Sequence, residues 1–105
     1  MEGPDPSVHA HAEVAAPQAD AWVRRLAAHL GRRTDVGEPV EEAGWTVLRL
    51  AGGSCSMTGT GSAVVLDVSA PDDAALAVVQ DLVGGSLERL AADERLRVGW
   101  ERRPG

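Results

Sequence analysis

Three groups of residues have types and spacings that could do chemistry. The first is Cys55, the only cysteine, set among hydroxyls and glycines in AGGSCSMTGTG, residues Ala51 to Gly61. An imidazole such as His29 could activate it as a nucleophile or redox sensor. A reactive thiolate needs an exposed, electropositive setting or a helix N-terminus. In the alternating run SCSMT, however, Cys55 shares a face with Met57, and methionine belongs with the core. Cys55 therefore reads first as a buried structural thiol, with the Cys55 and His29 pair as the alternative. His29 itself reads as a helix-surface or interface residue.

The second group is His9, His11 and Glu13, at alternate positions of one strand face, a spacing that puts two imidazoles on one side for a metal. A metal site needs three or four ligands and a supporting shell, so the plain alternative is a solvated strand face. The third group is the glycines. Gly59-Thr60-Gly61 leads into a strand, whereas a dinucleotide fingerprint follows a strand and opens a helix, and the chain has no lysine for a phosphate-binding loop. These glycines read as hairpin turns, and no cofactor is expected.

Composition narrows the classes further. The 105 residues carry a net charge of -6, which repels a phosphate backbone, so nucleic acid is not an expected partner. No lysine and no tyrosine means no Schiff base and no phenolic acid or base. The abundance of Ala, Gly, Val and Arg, with no Asn, Ile or Phe, fits a high-GC bacterial genome such as that of an actinomycete. No apolar run is long enough to cross a membrane. The N-terminus carries acids where a signal peptide needs positive charge. Together with the lone cysteine, these features predict a cytoplasmic protein.

The elements that must position these residues follow from periodicity. Residues 1–6 read as a flexible arm and 7–103 as one α+β domain. Val8, Ala10, Ala12 and Val14 alternate with His9, His11 and Glu13, as in a half-buried strand. Ala19, Val23, Leu26, Ala27 and Leu30 form one helical stripe, with Pro17 expected in the first turn and Gly31 as the stop. A loop with one short edge strand at Val40 leads to WTVLRL, SCSMT and SAVVLDVS, a meander of antiparallel strands joined by tight turns. A second helix is expected to open at Ser69 with a capping box, to bury Leu76, Val79, Val83, Leu87 and Leu90, and to be kinked, broken or closely approached at Gly84-Gly85. LRVGWER then alternates as a last strand.

The order β-α-β-β-β(-β)-α-β predicts two layers: an antiparallel sheet of five or six strands with both helices on one face. Its other face is expected to carry Trp45, Val47 and Val65 among Arg49, Asp67, Arg97 and Glu101. A small apolar patch with a polar rim suits self-association, a protein partner or the floor of a shallow pocket, and Trp45, Val47, Arg49, Val65 and Arg97 are its candidate contacts. With no nucleophile, base and orienting group assembled, the leading expectation is a non-enzymatic binding or accessory module, using this face or a cleft at Gly84-Gly85.

Several segments together resemble a known family: HLGRR, GGSC, LDVSAPDDAALAVVQDLV, SLERLA and LRVGWER. From about His9 to Arg102 the chain is similar to the small bacterial proteins grouped as domain of unknown function twenty-two eighteen. In that pattern a helix-one histidine matches His29, the cysteine matches Cys55, the Ala-Pro-Asp helix start matches Ala70 to Asp72, Leu-Glu-Arg matches Leu87 to Arg89, and the closing tryptophan matches Trp100. The resemblance implies an α+β fold and no assigned activity. A related domain accompanies siderophore-interacting flavin reductases, which implies a setting in siderophore and iron utilisation. This chain departs from the pattern at Ala16, where a capping threonine is usual, near Leu90 and Ala92, where aromatics are usual, and at Ser86. A second histidine usual at that last position is missing here, and with it half of any two-histidine site.

Overall fold

The computed structural model describes residues 7–32, 39–50 and 52–103. The expected N-terminal arm lies outside the described residues, as does most of the loop after the first helix. In chain order the elements are β1 (Val8–Ala15), α1 (Ala19–Gly31), β2 (Val40–Glu42), β3 (Trp45–Leu50), β4 (Gly53–Gly59), β5 (Ala63–Ala70), α2 (Asp73–Leu90), a short 3-10 turn (Ala92–Glu94) and β6 (Glu101–Arg103). The expected α+β architecture is what forms: six strands in the order β2-β3-β4-β5-β1-β6, every neighbouring pair antiparallel.

Alternation decides which face is buried. Ala10, Ala12 and Val14 of β1, Leu48 and Leu50 of β3, Cys55 and Met57 of β4, and Val64, Leu66 and Val68 of β5 all enter one core. Both helices cover that face, α1 with Ala19, Val23, Leu26, Ala27 and Leu30, and α2 with Leu76, Val79, Val83 and Leu87. Because β1 is antiparallel to both β5 and β6, those two strands run parallel, and a parallel pair needs a long crossover, here α2 and the turn after it. At the start of β4, a Cβ on Gly53 would collide with the Ser69 carbonyl oxygen of β5, which explains the residue choice there.

Several boundaries differ from the pattern in the sequence. Helix α1 begins after Gln18, which caps it in a left-handed conformation without a side-chain hydrogen bond, so Pro17 precedes the helix instead of starting it. Strand β5 continues through Ala70, and the cap of α2 is Asp72, whose carboxylate accepts the Ala75 N–H at 2.8 Å. The expected Ser69 cap is therefore a strand residue. Leu90 ends the α2 stripe on the exposed side.

Helix α2 runs unbroken through Gly84-Gly85, and the glycine serves a close approach. A Cβ on Gly84 would lie 3.1 Å from the Trp100 indole nitrogen. LRVGWER is a strand only at its end. Leu96, Val98 and Trp100 pack against the core, the Val98 N–H donates to Glu88 of α2 at 2.9 Å, and ladder pairing to β1 starts at Glu101. An alternating apolar pattern fits a chain crossing a helix as well as one joining a sheet.

Candidate functional site

The face of the sheet turned away from the helices carries most of the residues with chemical potential, and strand register arranges them in three rows. In the first row Glu42 stands opposite Trp45, and Thr58, Val65 and Glu13 continue the line. The second row runs Val40, Val47, Ser56, Asp67, His11 and Glu101. The third runs Arg49, Ser54, Ser69, His9 and Arg103. The first row holds two carboxylates and no cation, and the third holds two guanidiniums, an imidazole and no acid.

His11 is tied into the middle row. Its Nδ1 lies 2.7 Å from Asp67 Oδ1, and since a carboxylate only accepts, Nδ1 carries the proton. Its Nε2 is 3.7 Å from Glu13, beyond hydrogen-bond range. Next to them Ser54 and Ser69 share a hydroxyl hydrogen bond of 2.9 Å. The carboxylate of Asp67 stands between Ser56 and the imidazole, so His11 is about two strand spacings from the nearest serine of its row. A nucleophile-base pair requires the imidazole itself to touch the hydroxyl.

The sequence candidates separate accordingly. His9, His11 and Glu13 do share the open face of β1. Even with Asp67 beside them, no group of three or more His, Cys, Asp or Glu among the described residues is arranged to hold a metal. Cys55 is fully buried under the helices. Burial, with a smaller contribution from the Asp67 carboxylate, pushes its thiol up from 9.0 to about 12. His29 is half-buried in the last turn of α1. Trp45, Val47 and Arg49 lie on the open face as expected. Val65 does too, although its neighbours cover it to 8% exposure. Arg97 does not, because it belongs to the segment that crosses α2.

Two shallow pockets indent this face. One, of about 340 Å³, is lined by Glu42, Ala43, Trp45, Val47, Ser56 and Asp67. The other, of about 310 Å³, borders it at Val47 and includes Arg49, Ser54 and Ser69. Glu42 and Ser56 are the residues that sequence reasoning missed, and Asp67, expected on this face, was not among its candidate contacts. Asp67 had a legible signal, being the single charge inside the apolar strand AVVLDVS. The expected cleft at Gly84-Gly85 is partly filled by the chain's own Val98 and Trp100, which leaves about 200 Å³ beside Gln80, Asp81 and Glu88.

Fold and site together define a two-layer α+β protein with a helix-covered face and an open, charge-striped face. The chain belongs to the bacterial family described as "Uncharacterized protein conserved in bacteria" (DUF2218), which matches residues 11–101. The fold is similar to that in the NMR structure of PA4090 from Pseudomonas aeruginosa, with a TM-score of 0.70 and 23% identity over 90% of this chain and 95% of that one. No curated protein matches the chain. Among the described residues no helix is long and apolar enough to cross a membrane.

Proposed function

We propose that this protein is a small non-enzymatic binding or accessory module of the cytoplasm, and that its open sheet face receives a positively charged group. The observation that carries this reading is the pocket lined by an indole, Trp45, by two carboxylates, Glu42 and Asp67, and by the hydroxyl residue Ser56. Carboxylates attract a cation, and an indole face adds a cation-π contribution of about 1 kcal/mol at a partly exposed site. A planar guanidinium suits the pocket best, because it stacks on an aromatic ring and donates to carboxylates at once. A thiol-dependent activity would instead require the Cys55 thiolate, which burial opposes. The iron-utilisation setting implied by the family resemblance adds no residue to this reading.

The test is an NMR titration with arginine amide. Saturable shifts at the Trp45 indole N–H and at the amides of Glu42, Val47, Ser56 and Asp67 are expected. A pocket this open should bind at about 1 mM, equivalent to about -4 kcal/mol. Absence of shifts at these positions, or equal shifts over the whole surface, would overturn the proposal.

A further inference from the structure

Arg49 is exposed, stands two residues from Val47 on the strand that also carries Trp45, and makes no ion pair among the described residues. Val47 is thus the midpoint between an indole paired with Glu42 on one side and an unpaired guanidinium on the other, each about 7 Å away along the strand. The same polarity repeats on β1, where Glu13 and His9 flank His11. A face whose acidic row and basic row lie at equal distances on either side of a central row is complementary to itself after a half-turn about that central row.

We infer that the cationic group received by the open face is Arg49 of a second copy of this chain, in a face-to-face two-fold dimer. The inference rests on the reading of the pocket as a cation site. The axis lies between the two faces and runs along the row of Val47, Ser56, Asp67 and His11. It sets Arg49 of the second copy over Trp45 and beside Glu42, and His9 of the second copy against Glu13. Each contact occurs twice, as an isologous interface requires.

Charge selects this axis over the other in-plane choice. An axis parallel to the strands would lay the acidic row on the acidic row and the basic row on the basic row. Along the chosen axis Asp67 approaches its own copy, but one of its oxygens already accepts the His11 ring proton at 2.7 Å. Val47 in the central row and Trp45 beside it supply apolar contact that charge alone lacks. Four strands of six to eight residues and two of three, about 4.8 Å apart, give a face of roughly 570 Å² in projection, near the lower end of specific interfaces. The dimer is therefore reversible and depends on concentration and salt.

The experiment is sedimentation velocity from roughly ten micromolar to one millimolar. Wild type is expected to approach dimer mass as concentration rises. Arg49→Glu alone and Glu42→Arg alone each place like charges together twice and should weaken the dimer at least about tenfold. An equimolar mixture of the two variants restores both attractive contacts in a heterodimer and should recover dimer mass. Both positions are exposed, and Arg49→Ala provides a milder check with the same expected direction. A wild type that stays monomeric, or a mixture no more associated than its components, would overturn the dimer. In a monomeric wild type, arginine amide shifts at Trp45 would leave the cation pocket standing while the dimer falls; their absence would remove both.

Discussion

His11 and Asp67 stand directly opposite each other on β1 and β5, with Nδ1 and Oδ1 2.7 Å apart, and the imidazole side chain is only 17% exposed. A hydrogen bond to a charged acceptor ordinarily contributes more than a neutral one. Asp67 is 46% exposed, so water screens much of that gain. A double-mutant cycle with His11→Gln and Asp67→Asn is expected to give a coupling of about 0.5 to 1 kcal/mol by urea unfolding. Additivity within error would show that the pair contributes nothing beyond its separate side chains.

Alkaline stability has an unusually clean prediction. With neither lysine nor tyrosine in the chain, Cys55 is the side chain that ionises between pH 9 and about 12. Its thiol is at 9.0 when exposed and at about 12 when folded, so above pH 9 the unfolded chain releases the proton first. Stability linked to the neutral thiol is complete below pH 9 and is lost as pH rises toward 12, by up to about 4 kcal/mol. Urea unfolding of wild type at pH 8 and pH 10 should show this fall. Cys55→Ala, less stable at pH 8 by about 1 to 2 kcal/mol for the lost packing, should show little pH slope over the same interval. In native buffer a thiol reagent should label wild type only as fast as the core opens, and rapid stoichiometric labelling would contradict the buried assignment.

The two glycines of α2 should respond differently to alanine. A Cβ on Gly85 meets only the end of Arg89 at an ordinary 3.6 Å, so Gly85→Ala should gain about 1 kcal/mol from helix propensity. Gly84→Ala makes the same propensity gain but pushes a methyl against Trp100 and Val98, and the net gain should vanish. Thermal melts compare the two stabilities. Tryptophan emission checks the cause, since only Gly84→Ala should move Trp100.

Ser86 is 1% exposed, and its hydroxyl oxygen has no hydrogen-bond partner among the described residues. Burying an unpaired hydroxyl costs about 1 to 3 kcal/mol. Ser86→Ala should therefore stabilise the protein by about 1 kcal/mol in chemical denaturation. A loss of that size would mean that the hydroxyl has a partner in solution.

Much of this architecture is legible in the sequence. The stripe Ala19, Val23, Leu26, Ala27 and Leu30 is the buried side of α1, and the alternation around Cys55 put that thiol in the core, because period alone separates a buried face from a wet one. Long-range pairing was not legible. Nothing near His11 announces Asp67 fifty-six residues later, so the apparent metal row His9, His11 and Glu13 hid a polar pair across two strands. The C-terminal segment misled for a different reason. Leu96, Val98 and Trp100 alternate as a strand would, but they are satisfied by helix α2, and only Glu101 to Arg103 find a ladder. Arg97 left the candidate surface with them.

The place of β1 in the sheet also bears on how the chain comes to fold. Its partners are β5, whose pairing joins Val8 to Ala70, and β6, whose pairing joins His9 to Arg103. During synthesis the first strand therefore emerges with neither neighbour made. The meander from β3 to β5 can close through short turns, but β1 must wait for it, holding Ala10, Ala12 and Val14 unsheltered meanwhile. Loop-closure entropy makes such distant pairings slow relative to local ones. Capture of the N-terminal strand is thus expected to be the late, rate-limiting event of folding.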